Sequence, residues 1–241
     1  MSPKTLSIAC SGYDVVADWY QGSDPNRVML VLIGFTSARV RHQQIIEAIC
    51  QATGTSVLVF DYTGHGDSPM QLRDTRPAQH FLEVICVFDW LKQQHPEAEV
   101  TIMGTSYGGF LATQLTKYRE FDQLVLRVPA MYRPQDFYTP WSYREDNPEE
   151  YSRMIMPYRA DATALAEHPL LKRASSFKGR TFVVVHDDDE LVPKETTDAY
   201  ISAFHADTYV AKGFSHSPKD LPEEQWQTYY QRIINWLQSS A

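Results

Sequence analysis

A chain of 241 residues is long enough to form one domain with a substantial hydrophobic core. Its apolar share of 43% and its charged share of 22% are ordinary for a globular protein. The formal net charge of −8 argues against nucleic acid or an anionic membrane as the main partner, because both are bound by basic surfaces.

The amino-terminal residues and the cysteines bear on the cellular compartment. Residues 1–16 contain one lysine and no apolar run long enough for the core of a signal peptide. No window of the chain approaches the roughly 18 apolar residues that span a bilayer. Cys10, Cys50 and Cys86 are odd in number and far apart, which is typical of reduced thiols, and we expect Cys50 and Cys86 to be buried. We therefore expect a cytoplasmic protein without a membrane span.

The predicted elements begin with an antiparallel hairpin whose short strands cover 6–10 and 14–19. Continuous Val, Ile and Leu runs, typical of buried strands, then alternate with segments of helical periodicity. The further predicted strands are 28–34, 56–62, 100–104, 123–129, 181–187 and 208–213, and the predicted helices are 43–51, 77–94, 107–118, 194–204 and 223–238.

This alternation predicts an α/β fold with a mostly parallel central sheet of about eight strands and helices on both faces. One segment, 132–172, interrupts the pattern: it has no strand signal, five prolines and many aromatic residues. We interpret it as a small helical cap inserted into a core formed by 1–131 and 173–241. Its aromatic side chains are either candidate substrate-binding groups or packing groups that hold the cap on the sheet; the candidates are Tyr132, Phe137, Tyr138 and Trp141.

The motif G-x-S-x-G occurs once, at residues 104–108, between a predicted strand and a predicted helix. A tight strand-to-helix turn strains the serine backbone, and small neighbours let the chain pass close by. Such a turn would expose the hydroxyl of Ser106 and leave the N–H of Tyr107 at a helix amino terminus, where it can stabilise an oxyanion. The motif alone is common by chance, so the assignment of Ser106 as nucleophile depends on the other groups.

A serine hydroxyl needs a base, and position narrows the choice among eight histidines. His216 follows the strand 208–213 in a loop of small residues, at the carboxyl end of a strand, and is the predicted base. His65 lies in a glycine-rich loop that we expect to shape the site, and His186 ends a strand. The others fall on predicted helices or their ends, where we expect solvated or structural roles: His42, His80, His95, His168 and His205.

Four carboxylates follow the strand 181–187 and are candidates for the acid that orients this imidazole. They lie in the stretch HDDDELVP, and most of such a cluster is ordinarily a solvated turn. A calcium loop is an alternative, but the spacing lacks the glycine and the distal glutamate of an EF-hand. We expect the carboxylate just before the Leu-Val-Pro turn to point into the site. The four candidates are Asp187, Asp188, Asp189 and Glu190.

The stretches GTSYGG, DYTGHGDS, D-x-x-V-P and G-x-x-H together resemble the α/β-hydrolase superfamily, among its compact esterases and its serine-aminopeptidase-like branch. The resemblance covers nearly the whole chain, and the order Ser, Asp, His along the chain is that of the family. The D-x-x-V-P match begins at Asp189, so the resemblance implies Asp189 as the acid rather than Asp187 or Asp188.

The resemblance also implies a second oxyanion donor in the loop after strand 28–34, namely the backbone N–H of Phe35. Many relatives have His-Gly in this loop, where this chain has Ile33-Gly34. The change removes a hydrogen bond that braces the loop, although the donor role itself needs no side chain. Nearby, Arg39, Arg41 and His42 either face solvent or bind a carboxylate of the substrate.

The constellation predicts acyl transfer to water, without a metal or an organic cofactor. Ser106 would attack a carbonyl carbon while His216 takes its proton and Asp189 orients the imidazole. The N–H groups of Phe35 and Tyr107 would bind the oxyanion. We expect a small-molecule carboxylic ester with a small to medium acyl group, and the aromatic 132–172 segment suggests an apolar or aromatic one.

Several alternatives stay open from sequence. A thioesterase or a small-peptide serine peptidase would use the same three residues, and a non-catalytic binding protein could retain the fold. A dinucleotide-binding protein is disfavoured, because the glycines are not spaced G-x-G-x-x-G. Epoxide hydrolases and haloalkane dehalogenases are disfavoured because they carry a carboxylate nucleophile where this chain has Ser106. The sequence leaves the physiological substrate open, and a homodimer remains an option.

Overall fold

The computed structural model describes residues 2–239 and arranges the described strands as an eight-stranded sheet in the order β1-β2-β4-β3-β5-β6-β7-β8. The amino-terminal hairpin is antiparallel, and its second strand pairs antiparallel with β4; all remaining pairs are parallel. The strands are β1 (Lys4–Cys10), β2 (Tyr13–Tyr20), β3 (Arg27–Leu32), β4 (Ser56–Phe60), β5 (Glu99–Thr105), β6 (Gln123–Arg127), β7 (Arg180–His186) and β8 (Asp207–Ala211).

The central strands are buried almost without interruption, whereas the edge strands β1 and β8 are partly exposed. Continuous burial is the pattern of a parallel sheet covered on both faces by helices. The mostly parallel sheet with an antiparallel hairpin is therefore confirmed. Predicted strands differ from the observed ones by one or two residues at their ends, where the chain turns away from the sheet.

Nine α-helices are assigned within residues 2–239. In the parallel part of the fold, α1 packs against α9, and α2 packs against α3. The predicted bounds of α2, α8 and α9 match the observed ones, while α3 ends earlier than predicted. The helices are α1 (Gln43–Thr53), α2 (Pro77–Gln94), α3 (Tyr107–Leu115), α4 (Trp141–Asp146), α5 (Pro148–Arg159), α6 (Ala162–Ala166), α7 (Pro169–Ala174), α8 (Lys194–Phe204) and α9 (Glu223–Gln238).

The 132–172 segment folds as a short 3₁₀ turn followed by α4, α5, α6 and the start of α7. Its apolar side chains Tyr132, Trp141 and Leu165 are buried in the main hydrophobic core. Helix α4 packs on the turn Leu72–Asp74, while α6 and α7 pack on α8. The segment therefore shares its core with the sheet domain.

The cysteines are free thiols, and one expectation about them was wrong. Cys10 and Cys50 are buried, but Cys86 is half-buried, because it lies on the flank of α2 beside the edge hairpin, where its Sγ–H donates to the carbonyl of Ala9 at 3.1 Å. Over residues 2–239, no helix combines the length and apolar character that crossing a membrane requires.

Candidate active site

Ser106 lies at the turn between β5 and α3 with φ 53° and ψ −112°, a backbone conformation that residues with a side chain rarely adopt. The glycines on either side make this turn possible. A Cβ at Gly104 would lie 2.4 Å from the carbonyl oxygen of Gly108, and a Cβ at Gly108 would lie 2.1 Å from that of Leu32. The G-x-S-x-G motif is thus explained by close packing of the backbone around a half-buried serine.

The structure brings Ser106, His216 and Asp189 together in one hydrogen-bonded chain. The Nε2 atom of His216 lies 3.0 Å from the Oγ atom of Ser106, and its Nδ1 atom lies 2.8 Å from Oδ2 of Asp189. Because an ionised carboxylate only accepts hydrogen bonds, Nδ1 must carry the proton. The lone pair of Nε2 then faces the serine hydroxyl, as general-base chemistry requires.

Asp189 is held as a carboxylate. Burial would raise its pKa, but the hydrogen bond and charge of His216, with the N–H groups of Val192 and Leu191, lower that pKa below its ordinary value. Both N–H groups donate to Oδ1 at 2.8 Å, which leaves Oδ2 for the imidazole. The side chain is only 2% exposed. The N–H groups of Leu191 and Val192 therefore hold this carboxylate, rather than that of the adjacent Glu190, against the imidazole.

The other carboxylates of the cluster have different partners. Asp187 and Asp188 are exposed, and Asp187 accepts the N–H of Gly213 at 2.6 Å. Glu190 accepts the backbone N–H of His216 at 3.1 Å. Asp187 and Glu190 thus brace the loop that carries the histidine, whereas Asp189 contacts its imidazole.

His186, at the end of β7, braces the same loop from inside the protein. Its Nδ1 donates to the carbonyl of Ser215 at 2.7 Å, and its Nε2 accepts the hydroxyl of Tyr229 at 3.1 Å. Burial is the main cause that lowers the pKa of His186 to about 4, so the ring is neutral near neutral pH. The Tyr229 hydroxyl also accepts from Nε of Arg127 at 2.8 Å. Sequence reasoning missed this support, because Tyr229 reads as part of the apolar stripe of the last helix.

Phe35 follows a glycine that approaches the nucleophile closely. A Cβ at Gly34 would lie 3.8 Å from Cβ of Ser106, so the loop after β3 passes beside the serine. Within the described chain, neither the N–H of Phe35 nor that of Tyr107 donates to a protein acceptor. Two free donors next to Ser106 are the arrangement that an oxyanion site requires.

His65 supplies a hydrogen bond to the loop after β3. In many relatives a histidine at the position of Ile33 supplies such a bond. Thr36, at φ 60°, donates its N–H to Nε2 of His65 at 3.2 Å, and Nδ1 of that ring contacts the carbonyl of Thr63 at 3.3 Å. Burial is the main cause that lowers the pKa of His65, which keeps Nε2 available as an acceptor. The shaping role predicted for His65 is the one that its contacts support.

Tyr107 is anchored through its side chain. Nε2 of His80 lies 3.0 Å from the carbonyl of Thr63 and must donate to it, so Nδ1 accepts the Tyr107 hydroxyl at 2.9 Å. Burial is the main cause that lowers the pKa of His80 to about 3, which fixes the neutral ring. His80 therefore has a structural role: it holds the residue whose N–H faces the proposed oxyanion position.

Arg39 and His42 are buried, so neither side chain faces solvent, whereas Arg41 is exposed. Arg39 is surrounded by carboxylates: its NH1 lies 2.5 Å from Asp61 and 2.9 Å from Asp67, and its Nε lies 3.0 Å from Asp18 without hydrogen-bond geometry. This ion cluster joins the loop after β3 to the loop after β4. Its guanidinium is therefore not free to bind a substrate.

The four aromatic candidates of the 132–172 segment fall into two groups. The Trp141 ring lies 4.3 Å from that of Phe35 and 5.4 Å from that of Tyr107, between ring centroids, and Tyr132 lies 5.5 Å from Tyr107. Phe137 and Tyr138 instead line a groove of about 250 Å³ on the flank of α2 and α3, and their contacts include Phe81 and Phe110. Trp141 and Tyr132 are the pair whose rings contact Phe35 or Tyr107, the residues of the two proposed oxyanion donors.

One groove lies far from this site. A wide groove of about 1400 Å³ lies at the amino ends of the parallel strands, opposite Ser106, and includes Arg27, Glu99, Gln123 and Arg180. Among residues 2–239, no group of three or more His, Cys, Asp or Glu side chains is arranged to hold a metal ion.

Comparison with known proteins identifies structural relatives of this arrangement. A Pyrococcus furiosus esterase, Pf2001, superposes with a TM-score of 0.71 at 20% identity, over 98% of this chain and 91% of that protein. A thermostable carboxyl esterase of Bacillus coagulans gives 0.74 at 15% identity, over 98% of each chain. Est1E of Butyrivibrio proteoclasticus, with ferulic acid bound, gives 0.71 at 16% identity, over 96% of this chain and 97% of that one. At these identities the likeness concerns the fold.

Sequence comparison adds further relatives. An uncharacterized Mycobacterium tuberculosis protein is 26% identical over 221 residues, which cover 83% of this chain and 70% of that protein. The lysophosphatidylserine lipase ABHD12 of Xenopus tropicalis is 33% identical over 138 residues, or 53% of this chain. The match spans about a third of that lipase, 34% of its length.

A family profile settles the membership. The profile Hydrolase_4, described as serine aminopeptidase, S33, matches residues 23–158, which is more than half of the chain. The matched region includes Phe35, Ser106 and Tyr107, and ends before Asp189 and His216. With the eight-stranded sheet and the fold of its structural relatives, the chain belongs to the serine aminopeptidase S33 family of the α/β-hydrolase superfamily, and is a hydrolase.

Proposed function

We propose that the chain is a serine hydrolase that cleaves carboxylic esters of small to medium acyl groups, aromatic ones included, through an acyl-enzyme on Ser106. One observation carries the proposal: Ser106, His216 and Asp189 form a hydrogen-bonded chain with contacts of 3.0 and 2.8 Å. The nucleophile, the base and the orienting acid of acyl transfer are therefore in mutual contact.

In the first step, the Ser106 oxygen attacks the ester carbonyl carbon while Nε2 of His216 takes the hydroxyl proton. Asp189 holds the imidazole and stabilises its cationic form. The N–H groups of Phe35 and Tyr107 donate to the oxyanion, and each such donor lowers the barrier by about 3–4 kcal/mol in comparable enzymes. The protonated histidine then gives its proton to the leaving alcohol, and the C–O bond of the ester breaks.

In the second step, His216 removes a proton from water as the water oxygen attacks the acyl-enzyme. The same two N–H groups bind the second oxyanion, and collapse of the intermediate returns the proton from His216 to Ser106. The acid product leaves, and the enzyme is restored. In this scheme the 132–172 segment acts as a cap, and Trp141 and Tyr132 line the acyl side of the site.

A small-peptide peptidase is the second candidate, and the description of the family profile as serine aminopeptidase favours it. An aminopeptidase must bind the α-ammonium group of its substrate, which needs a carboxylate near the nucleophile. The charged side chain of the 132–172 segment that covers Phe35 is instead a cation, Arg144. This charge supports the ester reading over the peptidase reading.

The test is hydrolysis of p-nitrophenyl esters from acetate to decanoate and of one cinnamoyl ester, with Ser106→Ala alongside. We expect Ser106→Ala to lower kcat by several orders of magnitude without loss of the fold, as judged by circular dichroism. A series of amino-acid p-nitroanilides distinguishes the peptidase. Ester turnover that survives Ser106→Ala would remove the serine from the mechanism.

A further inference from the structure

The rim of the site carries a cation that the reaction does not use. Arg144, in helix α4, places its guanidinium carbon 4.2 Å from the ring centroid of Phe35, the residue that supplies one proposed oxyanion donor. The same guanidinium lies 5.3 Å from the ring of Tyr151 and 5.8 Å from that of Trp141. Three aromatic rings thus surround one charged group beside the loop that carries Phe35.

Arg144 has no anionic partner within residues 2–239. No carboxylate lies within ion-pairing distance of its guanidinium, and the guanidinium makes no hydrogen bond. Two other arginines of the same segment differ: Arg133 is paired with Asp136 at 2.7 Å, and Arg159 donates to two backbone carbonyls. A half-buried arginine among aromatic rings keeps its charge, so its five N–H donors remain available to a ligand.

Two buried polar atoms beside this arginine also lack partners. The indole Nε1 of Trp141 and the hydroxyl of Tyr151 form no hydrogen bond within the described chain, although these residues are only 3% and 6% exposed. Buried donors without a partner are uncommon and costly in folded proteins. Trp141 Nε1–H can only donate, and a tyrosine hydroxyl can donate. The ligand that satisfies such a set is rich in acceptors.

We propose that Arg144, with Trp141 and Tyr151, forms a subsite for an anionic group of the substrate, a carboxylate or a phosphate, carried beside the scissile ester. The guanidinium binds two oxygens of the anion through its planar N–H groups. The proposal rests on the proposed function, because it names the class of ester that the Ser106 site prefers. It also assigns to Arg144 an anion-binding role for which Arg39 was one of the candidates in the sequence.

Two matched pairs of esters test the subsite. The first pair is monoethyl adipate and its analogue in which CONH₂ replaces the carboxylate, so that the charge lies on the acyl side. The second pair is butyryl glycerophosphate and monobutyrylglycerol, so that the charge lies on the alcohol side. For the wild-type protein we expect kcat/KM to be about 10-fold to 100-fold higher for the anionic member of one pair, the range that a charge-assisted hydrogen bond gives. The pair whose anionic member is preferred shows whether the subsite lies on the acyl side or on the alcohol side of the scissile ester bond.

The variants separate recognition from support of the oxyanion loop. Arg144→Gln should remove the preference, because it lowers kcat/KM for the anionic ester about 10-fold to 100-fold more than for its neutral partner. Arg144→Lys should keep part of the preference, because it retains a charge without the planar fork. Arg153→Gln, at an exposed position of α5, makes the same charge change and should leave the preference intact. Equal losses on both members of a pair in Arg144→Gln, or no preference in the wild-type protein, would overturn the proposal.

A binding measurement keeps the subsite testable if no ester is cleaved. Calorimetric titration of adipate and of glycerol phosphate into the wild-type protein and Arg144→Gln, at low ionic strength, needs no turnover. Binding that is lost in Arg144→Gln and kept in Arg153→Gln supports the subsite even where the esterase proposal fails. Absence of binding to the wild-type protein, or equal binding to Arg144→Gln, rejects the subsite, whatever the outcome of the Ser106→Ala test.

Discussion

Ser106 holds a strained backbone conformation because its neighbours leave no other path. Its carbonyl oxygen accepts the backbone N–H groups of Gly109, Phe110 and Ala130, at 3.0, 3.2 and 3.0 Å. Its own N–H donates to the carbonyl oxygen of Arg127 at 2.9 Å. A turn that is fixed on both sides keeps the hydroxyl in one place, which is the preorganisation that an efficient nucleophile requires. The strain is offset by these contacts.

The different roles of the clustered carboxylates after β7 can be tested by substitution. Asp189→Asn places an amide where the Nδ1–H of His216 needs an acceptor, so the wrong tautomer of the imidazole is favoured. We expect kcat for ester hydrolysis to fall by roughly ten-thousand-fold, as at equivalent positions of other serine hydrolases. Asp187→Asn and Asp188→Asn, at exposed positions, should change kcat by less than about tenfold. Steady-state kinetics of the three variants gives the ranking, and the reverse order would move the acid within the cluster.

At the scale of elements, helix α5 is tied to the loop that carries the proposed acid. Arg159, at the end of α5, donates to the carbonyls of Met131 and Leu191 at 2.9 and 3.0 Å, and its own carbonyl accepts the hydroxyl of Thr196 at 2.6 Å. Leu191 is two residues after Asp189. One arginine therefore connects the 132–172 segment, the end of the β6 loop and the acid loop.

Replacing this arginine should loosen the connection. Arg159→Leu leaves two carbonyls without their charged donor, and we expect the free energy of unfolding to fall by about 2–3 kcal/mol. Arg153→Leu, on the exposed side of the same helix, should change it by less than about 0.5 kcal/mol. Urea denaturation followed by fluorescence measures both values. Equal free energies of unfolding for the two variants would show that the hydrogen bonds of Arg159 do not contribute to stability.

The elements themselves were largely predictable, and their mutual contacts were not. Helices α2, α8 and α9 have the predicted bounds, because apolar periodicity and proline at the start of α2 mark them locally. The hydrogen bond from Thr36 to His65 joins residues 29 positions apart, and the contact of Arg144 with Phe35 spans the core and the 132–172 segment. Such contacts depend on how elements pack, which a single sequence does not encode in any local pattern.

The site residues divide in the same way. Ser106, His216 and Asp189 lie in short sequence motifs, so the sequence alone predicts them as site residues. His186 and Tyr229 support the His216 loop through side chains whose sequence environment is an ordinary strand end and an ordinary helix stripe. Neither residue has a local signature, so only the folded structure relates them to the site.

For the whole molecule, buried neutral histidines link stability to pH. Burial lowers the pKa values of His42 and His80 to about 3 and that of His186 to about 4, from 6.5. Below pH 6.5 the unfolded chain therefore binds more protons than the native protein, so stability falls as pH falls. Each histidine contributes up to about 1.4 kcal/mol per pH unit until its own native pKa is reached.

We expect the free energy of unfolding to be level above pH 7 and to drop below pH 6, with these three histidines together contributing up to about 4 kcal/mol per pH unit. The lowered pKa of Asp189 adds a further loss at more acidic pH, when that carboxylate is protonated. Urea denaturation between pH 7.5 and 5 measures the slope, and His42→Asn should reduce it by up to about 1.4 kcal/mol per pH unit. A stability that stays constant from pH 7 to pH 5 would contradict the neutral state assigned to these rings.

The nucleophilic role of Ser106 is tested most directly by covalent labelling. A fluorophosphonate that reacts with activated serines is incubated with the wild-type protein, Ser106→Ala and His216→Gln, and the adducts are mapped by peptide mass spectrometry. This role predicts one adduct per chain on the peptide that contains Ser106 and none in Ser106→Ala. It also predicts a labelling rate that is lowered by orders of magnitude in His216→Gln. A folded wild-type protein that takes up no label, or a label that persists in Ser106→Ala, would contradict it.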